Sequence, residues 1–236
     1  MINGMLWIAN TGAPWRDLPD HYGPWHSIAS RFYRWRRAGL WDRILAALHV
    51  QADTTGGLDW SVHFVDGTVV RAHQHAAGAR KRDGGAAKQA LGWSRGGFST
   101  KLHLRAERGG KPLALLLTAG ERHEQSMFEP LMEGGTVKRW GRGRAKQRPT
   151  CVVGDKGYSS RKVRSYLRRR GVRAVIPRKR NEQPQRQFDR ALYRERNRVE
   201  RLINLLKQFR RVATRYEKLA ANYLAFVTLA AITLWL

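Results

Sequence analysis

The chain is short of several things, and each shortage excludes something. It has one cysteine, Cys151, in 236 residues. That leaves no disulfide framework and no zinc site built on thiolates. It has only 18 Asp and Glu against 45 Lys and Arg, so each carboxylate stands out. No charged segment followed by an apolar one opens the chain, so no secretory leader is evident, and the expected compartment is the cytoplasm. Long apolar runs are scarce too. The one at the C-terminus, "LAANYLAFVTLAAITLWL" at 219–236, reaches the lower limit of a membrane span. Its Asn222, Thr228 and Thr233, and its many alanines, fit a helix buried against a sheet better than a helix in lipid.

Positive charge is abundant. The formal net charge is +27, with an ordinary hydrophobic fraction of 42%. A surface this basic repels itself and attracts polyanions. Nucleic acid is the obvious partner, because binding to phosphates releases counterions. The charge is also localised: residues 137–218 hold 28 Lys or Arg against six Asp or Glu. The same stretch contains "TCVVGD", "VRAVIP" and "VERLINLLKQF". Those runs belong in a folded core, so the charge decorates a folded surface and is not a disordered tail.

Residues 1–57 form one unit. "TGAPWRDLPDHYGPW" reads as loop and turns. Apolar residues then recur at helical spacing: Ile28, Phe32 and Trp35, then Leu40, Trp41, Ile44, Leu45 and Leu48, with Gly39 dividing two helices. Arg31, Arg34, Arg36 and Arg37 lie on this pair. It fits a small helical DNA-binding module, or equally a bundle that only packs on the main domain.

From residue 58 to 236 the pattern changes. "SVHFVDGTVVR" reads as a strand ending near Asp66. "FSTKLHLRAE" and "KPLALLLTAG" read as a hairpin around "RGGK". "EQSMFEPLME" is a short helix and "TCVVGD" a buried strand ending at Asp155. "SSRKVRSYLRRRG" is a helix with a Ser start and a Gly stop, "VRAVIP" a further strand, and two helices close the chain. "GARKRDGGAAKQALGWSRGG" and "VKRWGRGRAKQRP" read as basic loops. An antiparallel meander feeding parallel strands through helices gives an α/β mixed sheet with helices on both faces. That is the element order of a ribonuclease-H-like fold, here preceded by a small helical N-terminal domain.

Two aspartates at strand ends can emerge at one edge of such a sheet, where ligands collect. Taken singly, each also fits a turn, and Asp66-Gly67 is a common turn pair. The third acid is Glu200, in "YRERNRVERLINLLK" at 193–207. On a continuous helix Tyr193, Arg196, Glu200 and Lys207 fall within about 60° of one another. An Arg196–Glu200 ion pair at i,i+4 explains two of the four. It leaves the aromatic and the second cation unexplained.

The spacing of Tyr193, Arg196, Glu200 and Lys207 resembles the signature of bacterial insertion-sequence DDE transposases. "TGAPWRDLP", "VDGTVVRAHQHAAGA", "RGGFSTKLHL", "VVGDKGYSS" and "FRRVATRYEKLAANYLAF" resemble the family-five group of insertion sequences. The resemblance covers nearly the whole chain. It implies that Asp66, Asp155 and Glu200 are the catalytic and metal-binding triad, at separations of 89 and 45 residues. It implies two Mg²⁺ ions, with Mn²⁺ able to substitute. It implies double-stranded DNA as partner, both inverted-repeat ends and target, and a homodimer or larger active complex, nucleoid-associated when bound. Tyr193, Arg196, Lys207, Lys156, Arg161 and Lys162 are the expected DNA contacts, with Tyr193 either stacking on a base or packing in the helix interface. "TAGERHE" at 118–124 places Glu124 where relatives often have Asp, an accessory carboxylate at most. His73 and His75 are expected to line the site or serve structure. Relatives usually carry a further helical segment before "LWIANTGAPW", and a shorter start would weaken end recognition. A remnant that binds DNA without cutting it and a ribonuclease-H-like nuclease fit the same residues.

Overall fold

The computed structural model describes residues 1–79, 88–94, 96–138, 143–182 and 187–236. Parts of the two basic loops expected at 78–97 and 137–149 lie outside the described residues, as does part of the linker after Pro177.

The N-terminal helices are α1 (Ile2–Thr11), α2 (Trp25–Arg37) and α3 (Leu40–Thr54). Gly39 separates the last two in the left-handed conformation, φ 63°, where a side chain would be strained. The first helix was not anticipated. Its apolar residues are interrupted by Asn3 and Asn10, and it is held by burying Met5, Ile8 and Ala9.

Among the described residues the sheet has seven strands: β1 (Val62–Ala72), β2 (Gly92–Ser94), β3 (Gly97–Ala106), β4 (Pro112–Ala119), β5 (Cys151–Gly154), β6 (Arg173–Val175) and β7 (Thr214–Arg215). Its order is β2-β3-β1-β5-β6, with β4 on β3 and β7 on β1. The expected hairpin is β3–β4, antiparallel. β1 pairs antiparallel with β3 and parallel with β5, and β5 parallel with β6. The sheet is therefore mixed, as expected of a ribonuclease-H-like arrangement. The short β2 and β7 are additions.

Alternation along the strands builds two cores. Val62, Phe64, Leu102, Leu104 and Val153 face one core. It is closed by α7 (Asn197–Gln208), which buries Val199, Leu202 and Leu206, by the short α8 (Arg210–Ala213), which buries Val212, and by α9 (Ala220–Thr233). Val65, Ala114, Val152 and Ile176 face the other, covered by α4 (Phe128–Gly134) and α5 (Arg161–Arg169). Helix α5 starts at Ser160, whose side chain accepts from the Val163 amide, and is followed by Gly171 at φ 67°.

The apolar C-terminal run is α9, buried from Ala225 through Ile232. Among the described residues no helix is long and apolar enough to cross a membrane. The same core takes in the N-terminal helices: Phe32 stacks on Phe226 with ring centroids 4.3 Å apart, and Trp41 is buried. Arg211 donates to the Ala13 carbonyl at 2.7 Å.

Two expectations need correction. Asp66 does not end its strand. β1 runs on to Ala72 because its pairing with β3 continues to Arg71↔Ser99. What ends at Asp66 is the parallel ladder to β5, whose last pair is Val65↔Gly154. The segment 193–207 is also not one helix. It breaks into α6 (Arg190–Arg194) and α7. At the break the amides of Glu195, Arg196, Arg198 and Val199 bond three residues back, a local tightening that separates Tyr193 from the stripe of Arg196, Glu200 and Lys207.

Candidate active site

Asp66 and Asp155 come together because β1 and β5 stop pairing at Val65 and Gly154, and each aspartate is the next residue. Each is fixed by a backbone amide. Gly67 donates to Asp66 Oδ1 at 2.8 Å, and Gly157 donates to Asp155 Oδ1 at 2.8 Å. The second bond caps a one-turn helix at Lys156–Tyr158. A Cβ at position 157 would lie under 3 Å from both Asp155 Oδ1 and Glu124 Oε2, so a side chain there would displace both carboxylates.

Arg196 reaches across from the break between α6 and α7. Its Nη1 donates to Asp66 Oδ2 at 2.8 Å, and its Nη2 pairs with Glu200 Oε1. Lys207, two turns further on, donates to Thr68 Oγ1 at 2.7 Å. The α7 stripe therefore lies along β1 beside Asp66. Tyr193 is half-buried and packs on Phe188, ring centroids 5.3 Å apart; this is the packing alternative for that residue.

The electrostatics follow from crowding. Burial pushes the Asp66 carboxyl above its ordinary range, and Asp155 and Glu200 push it further. The Gly67 amide and Arg196 oppose this. Burial alone would lower Arg196, but Asp66 and then Glu200 outweigh it and hold the guanidinium up. Burial lowers Lys207.

Glu124, expected as an accessory carboxylate at most, lies beside the two aspartates. It begins the turn after β4 (Glu124–Met127), and its side chain lies over Gly67, with Cγ and Oε1 each 3.4 Å from a Cβ built there. Burial raises its carboxyl, Asp155 raises it further, and Lys101, 3.7 Å away, opposes. The scarcity of acids is the signal in the sequence that marks it. Thr68 and Lys101 carried no such signal.

The remaining expected contacts ring the Asp155 side. Lys156 is exposed directly after Asp155, and Arg161 and Lys162 are exposed on the first turn of α5. Lys162 pairs with Glu129 at 3.3 Å. His73 and His75 sit apart from the carboxylates in a turn beside β7, where the His73 amide donates to the Arg215 carbonyl.

The donor set is all carboxylate oxygen, which suits a hard divalent cation such as Mg²⁺ and not zinc. Among the described residues no three His, Cys, Asp or Glu side chains converge closely enough to hold an ion as they stand. The geometry gives a reason: the Arg196 guanidinium stands between Asp66 and Glu200. The residues fit the ion in chemistry, with a cationic side chain bridging two of them.

Comparison with known proteins shows the family. The model of the family described as "Transposase DDE domain" matches residues 60–236, and one described as "Putative transposase of IS4/5 family" matches residues 1–45. "Uncharacterized protein y4sN" of Sinorhizobium fredii is 45% identical over 84 residues, 36% of this chain and 62% of that one. "Putative transposase for insertion sequence element IS402" of Burkholderia cepacia is 35% identical over 130 residues, 55% of this chain and 59% of that one. "Putative transposase for insertion sequence element IS6501" of Brucella ovis is 30% identical over 143 residues, 59% of this chain and 99% of that one. The matched regions thus span 62% and 59% of the first two relatives. With three quarters of its length under one family model and its two aspartates side by side at the parting of two parallel strands, the chain belongs to the transposase DDE domain family.

Proposed function

We propose that this chain is an insertion-sequence transposase that binds the inverted-repeat ends of its element and catalyses cleavage and transfer of DNA strands. One observation carries the reading: Asp66 and Asp155 follow the last parallel pair of β1 and β5, with Glu200 joined to Asp66 through Arg196. Asp66, Asp155 and Glu200 are the carboxylates that would hold two Mg²⁺ ions, or Mn²⁺ in their stead. When bound, such ions activate water or a 3′-hydroxyl and stabilise the leaving oxygen of an in-line displacement.

The chain's own residues supply the rest. The Gly67 and Gly157 amides each hold Oδ1 of an aspartate, and Oδ2 of Asp66 accepts from Arg196. Arg196 carries positive charge to the point where a phosphate approaches two carboxylates, and lowers the repulsion between them. Lys207 sits on the same side, two residues along β1 from Asp66. Lys156, Arg161 and Lys162 offer exposed cations beyond Asp155 for the DNA backbone. Tyr193 orients the α6–α7 break by packing on Phe188. Residues 1–57, with Arg34 and Arg37 exposed on α2, would read the terminal repeats, and residues 58–236 would carry the chemistry. Synapsis of two ends calls for a dimer or larger complex. The working compartment is the bacterial cytoplasm, at the nucleoid.

The test is incubation of the protein with duplex carrying the terminal repeats of its element, with Mg²⁺ or Mn²⁺. Nicking at the repeat ends supports the reading. Binding without nicking in either metal would favour a DNA-binding remnant. Cleavage without preference for the repeats, and without joining, would favour a nuclease.

A further inference from the structure

We propose that Glu124 is a fourth carboxylate of this site, a divalent-cation ligand that acts with Asp155 and Asp66 on the side away from Glu200. This rests on the reading of Asp66 and Asp155 as metal ligands. Three observations carry it. First, Glu124 and Asp155 aim oxygens at one place: both would stand under 3 Å from a Cβ at Gly157. Second, Glu124 also covers Gly67, the residue after Asp66. It therefore spans the two glycines that follow the two aspartates. Third, a buried, unpartnered hydroxyl lies within the electrostatic reach of the same carboxylates. Tyr158 is fully buried, its hydroxyl has no hydrogen-bond partner, and Glu124, Asp66 and Asp155 all act on it.

A buried phenol without a partner costs roughly 1–3 kcal/mol. Such an orphan fits a site whose polar groups are completed when a ligand arrives. The charges agree. Three carboxylates crowd this side, with Lys101 at 3.7 Å from Glu124 and Arg196 at 2.8 Å from Asp66 as their cationic neighbours. A divalent ion between Glu124 and Asp155 supplies the charge that Lys101, at long range, does not. Glu124 is half-buried and has three rotatable bonds, so its carboxylate turns toward Asp155 without movement of the backbone.

A purely structural role is the competing account: Glu124 pairs with Lys101 and fills space over two glycines. Metal binding separates the two. The full chain, without DNA, is titrated with Mn²⁺ and the free ion is followed by electron paramagnetic resonance, with far-UV circular dichroism to confirm folding. Glu124→Gln keeps the shape and removes the charge. It is expected to weaken Mn²⁺ binding by about tenfold or more, as is Asp155→Asn. Glu124→Asp is expected to fall between Glu124→Gln and wild type. Lys101→Met removes the structural partner and a competing cation, so ligation predicts Mn²⁺ binding as tight as wild type or tighter. Wild-type affinity in Glu124→Gln with loss in Asp155→Asn would overturn the role of Glu124 alone. Wild-type affinity in both would overturn the aspartate site as well.

Discussion

Arg196 donates one terminal nitrogen to Asp66 at 2.8 Å and the other to Glu200, joining a strand carboxylate to a helix carboxylate 134 residues later in the chain. Asp66 is 12% exposed at its side chain and Glu200 48%, so the two halves of the bridge differ. The Glu200 half is a solvated i,i+4 pair, worth a few tenths of a kcal/mol. The Asp66 half offsets a carboxylate that burial has driven toward its neutral form.

Removing this guanidinium should therefore be felt mainly at Asp66. Arg196→Met is expected to lower stability by about 1–3 kcal/mol in metal-free buffer, less than the loss of a fully buried partner. Added Mg²⁺ should recover more of that loss in the variant than it gains in wild type, because the carboxylates then lack their resident cation. Urea unfolding with and without Mg²⁺ checks this. Equal Mg²⁺ effects in both proteins would disconnect Arg196 from the metal site.

Arg105 is a structural counterpart. It is fully buried and bonds to His63 Nδ1 and to the carbonyls of Met132 and Gln147. It thereby ties β3 to α4 and to the segment that leads into β5. Arg105→Ala leaves two carbonyls unsatisfied and a cavity, and should cost about 3–5 kcal/mol. Circular dichroism melts would register that loss. DNA binding measured well below the new melting temperature should remain.

The buried histidines set an acid limit. Burial holds His49 and His103 down at about 4, while the Pro112 carbonyl partly offsets this for His49. Unfolded, each returns to its ordinary value of about 6.5. Below that value the unfolded chain binds more protons, so the stability these groups contribute is present above pH 6.5 and lost as pH falls toward 4. The raised carboxyls of Asp66 and Glu124 act in the opposite sense, so a variant is needed to isolate the effect. His49→Gln should flatten the fall in urea midpoint between pH 6.5 and 4.5. An unchanged slope would mean His49 titrates normally.

The basic ring beyond Asp155 is read by salt. Each phosphate contact contributes about 0.9 to the slope of log affinity against log salt for duplex DNA. Arg161→Ala with Lys162→Ala should reduce that slope by about two if both touch the backbone. Since Lys162 already pairs with Glu129, a reduction of one would assign the contact to Arg161.

The elements were legible where periodicity was strong. Strands β1, β3, β4 and β5 and the helices α2, α3, α5 and α9 follow the apolar spacing of residues 25–54 and 62–233. Asp155 was placed well because "TCVVGD" is short and β-branched with a turn behind it. Asp66 was found for the right sheet edge but the wrong reason. Sequence shows the Asp-Gly pair as a turn, whereas pairing with β3 holds β1 straight through it. The break at Glu195–Arg196 has no Gly or Pro to announce it. It follows from docking Arg196 onto Asp66, a contact between segments far apart in sequence. The position of Glu124 was hidden for the same reason, since it is set by two glycines on two other segments.

If the carboxylates at the β1–β5 parting perform strand cleavage separately from DNA binding, neutralising Asp155 should remove the first and spare the second. The most direct measurement compares wild type with Asp155→Asn on a labelled repeat-end duplex, scoring 3′-end release in Mn²⁺ and duplex affinity in the same buffer. The account predicts release by wild type, at least about a thousandfold less by Asp155→Asn, and equal affinity. Release by Asp155→Asn at the wild-type rate would contradict it.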